Sequence, residues 1–187
     1  MSKTANNTLN GLDTEAMAAT VRAIQDEAII AKFQFRAENH WLGGGHNRTT
    51  IRDFDGACQR HEHAEPHVLE SDEPQVLLGN DAAVNPAAHA LHALAACLCS
   101  SLVIHATARG IQVRSVESTL EGDVDLHGLL GLNPEIRNGF QNVRVGLRVD
   151  ADAPSEVIDE LIEVAQARSP LADALANPTP LSVRRLQ

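Results

Sequence analysis

NPAAHALHALAACLCSSLVIHATARG, residues 85–110, contains no helix breaker between Pro86 and Gly110. Asn85 suits an N-cap and Pro86 the first helical position. Gly110 suits the left-handed residue that ends a helix. At 1.5 Å per residue the segment predicts a helix roughly 35 Å long. Its middle is apolar on nearly all faces, so the helix is expected at the buried centre of the fold. Two of the three cysteines, Cys97 and Cys99, lie within it. About 100° separates successive residues, so these two point to nearly opposite sides and cannot form a disulfide while the helix stands. Each reads either as a small core hydrophobe or as a thiol activated by another segment. Arg48, just past a glycine turn, is the first cation to consider for that activation.

Outward from this helix the chain alternates. KFQFRAENHW (residues 32–41) places Phe33, Phe35, Ala37 and Trp41 against polar neighbours and predicts a half-buried strand. LGGGHN is a turn, RTTIRDF a partner strand and HVLESDEP a third strand ending at Pro74. SVESTLEGDVDL and NVRVGLRVD are two further strands. PSEVIDELIEVAQARS, from Pro154, is an amphipathic helix. PLADAL adds a turn or short helix, and PLSVRRL reads as a final strand. A helix is also expected over residues 13–31, capped by Asp13. Grouped antiparallel strands beside helices place the chain in the α+β class. The organisation expected is an N-terminal extension with a helix over residues 1–31, followed by one domain over 32–187.

Composition limits the function. The formal net charge is −10 over 187 residues, with a single short basic pair, Arg184-Arg185. Nucleic acid and anionic membrane both reward clustered Lys and Arg, so neither is an expected partner. The apolar run around residues 94–106 falls short of the ~20 residues needed to cross a bilayer. The first residues carry no secretory pattern. An odd cysteine count argues against a disulfide framework, and the expected location is the cytoplasm. Cys58, His61, His63 and His67 in CQRHEHAEPH have loosely metal-like spacing. They match no standard zinc pattern, and the segment reads as a solvated hairpin loop with surface histidines. No metal and no cofactor are therefore expected.

NPAAHALHALAACL resembles the central-helix motif of the OsmC/Ohr family, the osmotically inducible and organic-hydroperoxide-resistance proteins. HWLGGGHNRTTI, SDEPQVLLG, EGDVDLHG and ARSPLADALANPTPLSV follow the family order over residues 33–187. The resemblance implies two antiparallel sheets around two central helices. It also implies an intertwined homodimer with the reactive site at the subunit interface. Peroxidase members attack hydroperoxide with one thiolate and resolve the sulfenic acid with a second cysteine in a Cys-Pro motif. An arginine after the glycine turn and the glutamate of Asn-Pro-Glu orient peroxide and thiolate.

Carried over, Cys97 takes the peroxidatic position and Arg48 the arginine's. Ser169-Pro170 replaces Cys-Pro, and Ala87 replaces the glutamate. Serine cannot form the resolving disulfide, and alanine cannot hold an arginine. Two readings follow. One is a hydroperoxide-reducing thiol at Cys97, resolved by an external thiol in an oxidative-stress role. The other is a non-catalytic binder of a small hydrophobic ligand in the dimer-interface cleft.

Overall fold

The computed structural model describes residues 7–186, which form two compact units. Asn7 and Asp13–Ala90 belong to the first; Thr8–Leu12 and residues 91–186 belong to the second. In chain order the elements open with two short strands, β1 (Thr8–Leu9) and β2 (Leu12–Asp13), and helix α1 (Thr14–Asp26). They continue with β3 (Gln34–Phe35), β4 (Glu38–Gly43), β5 (His46–Gly56) and β6 (Gln59–Ser71). Helix α2 (Pro86–Ala108), β7 (Val113–Val124) and the single-turn α3 (Leu126–Leu129) follow. The chain closes with β8 (Phe140–Ala151), α4 (Ser155–Arg168) and α5 (Pro170–Ala176). The result is α+β with antiparallel sheets.

In the first unit β5 is the central strand. It pairs with β4 and β3 along one side and with β6 along the other. The β4–β5 turn needs its glycines, because Gly43 and Gly44 adopt φ of 126° and 58°. The β5–β6 turn holds Ala57 and Cys58, both at positive φ, the geometry of a tight two-residue hairpin. Ile51 pairs with His67, yet Asp53 pairs with Glu62. Residues 63–66 therefore bulge out opposite Arg52, with Pro66 where no ladder N–H is needed. The histidine-rich segment is accordingly a bulged strand, not the solvated loop expected from sequence. Phe33, Phe35, Phe54, His61 and His63 form an aromatic cluster on this sheet. A Cβ on Gly56 would lie 2.2 Å from the Phe33 ring, so the backbone there makes room for it.

Asp72 anchors the segment after β6. Its carboxylate is fully buried and accepts the amides of Glu73 (2.8 Å), Asn80 (3.1 Å) and Ala82 (3.1 Å). The Ala82 amide, with those of Glu73 and Asn80, holds the Asp72 carboxyl below the usual carboxylate range.

In the second unit β7 and β8 form a long antiparallel pair, and α4 packs on β8 and α5. Leu94, Leu98, Leu102 and Ala106 of α2 are buried, as are Leu161 and Ala165 of α4. The i, i+4 spacing on α2 gives one deeply buried stripe. On the outer face Arg144 lies between Glu121 and Asp123, and Arg148 reaches Glu117. Asn10, at φ 54°, donates to Thr107 Oγ1 and to the Ile111 carbonyl and accepts from the Val113 amide. This ties Thr8–Leu12 to the α2–β7 junction.

Further sequence expectations change. The helix predicted over 13–31 ends at Asp26, and Glu27, in an extended conformation, leads into a separate short turn at Ala28–Ala31. The strand over 32–41 is interrupted at Arg36-Ala37, and Phe33, Phe35 and Trp41 are exposed rather than half-buried. PLSVRRL forms no strand, and Leu181 and Val183 are each 88% exposed. Helix α2 is 23 residues long, so by length and composition it meets the requirement for spanning a bilayer. Its burial is confined to a stripe that includes Leu94, Leu98, Leu102 and Ala106, not spread over nearly all faces as expected from sequence.

Candidate active site

Helix α2 begins as its sequence dictates. Asn85 Oδ1 accepts the Ala88 amide at 2.8 Å, and the Asn85 carbonyl accepts that of His89. The helix carries Cys97 and Cys99, both half-buried. Between α4 and α5 stands Ser169, only 1% exposed. Its extended backbone ends one helix and starts the next, with Pro170 at the first position of α5. Ser169 Oγ accepts the Ala172 amide at 3.2 Å, so the hydroxyl proton remains free to point elsewhere. It points to Cys97: Oγ donates to Sγ at 3.2 Å. Serine so placed gives the sulfur a hydrogen-bond partner but cannot resolve an oxidised one.

Arg48, the other predicted site residue, lies on β5 in the first unit, directly across from Glu70 of β6. Its Nε (2.8 Å) and Nη2 (2.7 Å) both reach Glu70 Oε1. His46 Nε2 takes the other oxygen at 3.0 Å. Arg48 first, then His46, hold the Glu70 carboxyl below the usual carboxylate range. The Glu70 carbonyl also pairs with His89 Nε2 at 3.0 Å. Ala87 removes one carboxylate from the motif, but Glu70 supplies Arg48 with another. Sequence reasoning missed Glu70 and His46. Their only signal was the alternation of the two strands, and the bulge in β6 hid the register.

Cys58 sits exposed at the hairpin tip. His61 stacks on Phe54 at 4.8 Å and its Nε2 meets the Gly56 carbonyl, while His63 and His67 pack edge to face at 4.5 Å. No three His, Cys, Asp or Glu side chains among the described residues converge as a metal site would require. The second unit also contains a cavity of about 740 Å³. Leu94 and Leu98 line it from either side of Cys97 in sequence, and Gln166 and Ala172 from either side of Ser169. Cys97 itself is not part of the lining.

The family model described as OsmC-like protein matches residues 79–184, more than half of the chain and all of the Cys97–Ser169 region. The chain belongs to the OsmC-like family. Solved OsmC-like structures share the architecture. The OsmC-like protein of Mycoplasma pneumoniae is 14% identical with a TM-score of 0.58, covering 78% of this chain and 89% of that one. An OsmC-like protein of unknown function from Vibrio cholerae is 14% identical with a TM-score of 0.56, covering 75% and 92%. An organic hydroperoxide resistance protein from Elizabethkingia anophelis is 20% identical with a TM-score of 0.50, covering 77% and 90%. At these identities the likeness is one of fold. No curated protein matches the sequence. This OsmC-like chain keeps a cysteine on its long helix and presents it to a buried serine.

Proposed function

We propose that this OsmC-like protein reduces organic hydroperoxides with Cys97 as its only essential thiol, in the cytoplasm and as part of an oxidative-stress response. The observation that carries the reading is the Ser169 hydroxyl donating to Cys97 Sγ. The Cys97 thiolate attacks the terminal peroxide oxygen and the O–O bond breaks. The alkoxide takes a proton and leaves as the alcohol, and Cys97 becomes a sulfenic acid. A small external thiol attacks the sulfenic sulfur, expelling water and forming a mixed disulfide. A second equivalent of that thiol restores Cys97 and departs as the disulfide. Arg48, fixed by Glu70, is the proposed cation that orients the peroxide.

The active species in this reading is a homodimer. Its support is the exposed aromatic surface of the first unit, where Phe35 and Trp41 are each 75% exposed. Steady-state consumption of cumene hydroperoxide with a small dithiol as reductant tests the activity, with Cys97→Ser as control. Turnover that survives in C97S, or is absent from wild type, would overturn the proposal.

The cavity favours a second reading, a non-catalytic binder of a small hydrophobic ligand. Native mass spectrometry of the purified protein with an added apolar ligand tests it; no bound species would count against it.

A further inference from the structure

The second unit's cavity has a mixed wall, about half of it apolar. Leu98, Phe140, Val145, Leu147, Ile162 and Leu175 belong to four elements that face one space. Its volume of about 740 Å³ lies within the range of small-molecule sites, ~300–1,000 Å³. One formally charged residue lines it, Arg137, and no Asp or Glu is in the lining. That is unusual in a chain with a net charge of −10. Other charged side chains on the sheets are consumed in cross-strand ion pairs, such as Arg144 with Asp123 and Arg114 with Asp150. Arg137 has no ion-pair partner among the described residues.

Its position is nevertheless fixed. Gln141 Nε2 donates to the Arg137 carbonyl at 2.7 Å. Gly128 packs so closely that a Cβ there would lie 2.6 Å from the same carbonyl oxygen. The backbone is thus anchored at the cavity's edge while the guanidinium stays unpaired.

The geometry points to an aliphatic monocarboxylate as the occupant, its chain against the apolar wall and its carboxylate on Arg137. A guanidinium matches a carboxylate with two parallel N–H donors. The chain supplies the affinity, since each methylene taken from water is worth about a threefold to fourfold gain. This inference rests on the ligand-binding reading above and adds to it the headgroup and its anchor. It does not require Cys97 to react.

Titration calorimetry on the intact protein tests it, using dodecanoate, decanoate and dodecanol below their micelle-forming concentrations. Dodecanoate is expected to bind once per chain and decanoate about tenfold more weakly. Arg137→Gln should weaken dodecanoate about tenfold and leave dodecanol unchanged. Arg137 is exposed, so this substitution leaves the core intact. Equal binding of dodecanoate and dodecanol, unaffected by R137Q, would overturn the carboxylate assignment and leave an apolar binding cavity. Binding of none of the three by the wild type would overturn the ligand-binding reading, and this inference with it.

Discussion

Ser169 Oγ donates to Cys97 Sγ at 3.2 Å, joining two residues 72 positions apart. The same oxygen caps α5, so the serine both starts a helix and fixes the thiol's hydrogen-bond donor. Folding thus delivers a polar partner to a sulfur that the α2 sequence alone leaves among alanines and leucines.

If the contact is as close as this, a cysteine at position 169 should complete a two-cysteine pair. Ser169→Cys is expected to form an intramolecular disulfide with Cys97 after one equivalent of hydroperoxide. Peptide mapping under non-reducing conditions checks this. Ser169→Ala should slow Cys97 oxidation about fivefold, the equivalent of one hydrogen bond of ~1 kcal/mol. It should also cost about 1 kcal/mol of stability through the lost helix cap.

Glu70 fixes Arg48 and His46 together. Under the proposed chemistry, Glu70→Gln should slow oxidation of Cys97 by several-fold, with Glu70→Asp recovering part of the rate. Single-turnover kinetics of both variants, each checked by circular dichroism, measures this. Loss of the E70Q effect in an Arg48→Ala background would show that the two residues act together.

Asp72 gives the chain an acid-sensitive anchor. Its folded carboxyl titrates below the ordinary range, so its contribution is fully present above the unfolded-state value. That contribution is lost as pH falls through the lower, folded value. Thermal melts should show stability declining on the acid side, and Asp72→Asn should flatten the decline while lowering Tm near neutrality.

Leu102 on α2 and Leu161 on α4 are fully buried. Leu102→Ala should cost about 2–5 kcal/mol in urea unfolding, as a large-to-small change in a packed core does. Leu181→Ser, at a position 88% exposed, should change stability by under about 0.5 kcal/mol.

Local signals made the long helix legible. Asn85, Pro86 and Gly110 each act within a few residues, and all three hold their expected places. The alternation of β8 was equally clear, because Val143, Val145, Leu147 and Val149 share one side, while β7 shows a sparser version in Val116, Leu120 and Val124. The C-terminal PLSVRRL alternates as a strand would, but alternation records only a capacity to pair, and no strand among the described residues takes it up. α3 is a single turn set by Asp125, too short for periodicity to register. The Arg48–Glu70 pair depends on strand register, and that register depends on a bulge. Cys97 and Ser169 carry no spacing signal at all; only resemblance to the family placed them at positions expected to act together.

The most direct measurement is intact-mass spectrometry after one equivalent of cumene hydroperoxide in the presence of dimedone. The account predicts one dimedone adduct, mapped to Cys97 and absent from Cys97→Ser, with Cys58 and Cys99 unmodified. A Cys97 that stays unmodified while the hydroperoxide remains unconsumed would contradict it.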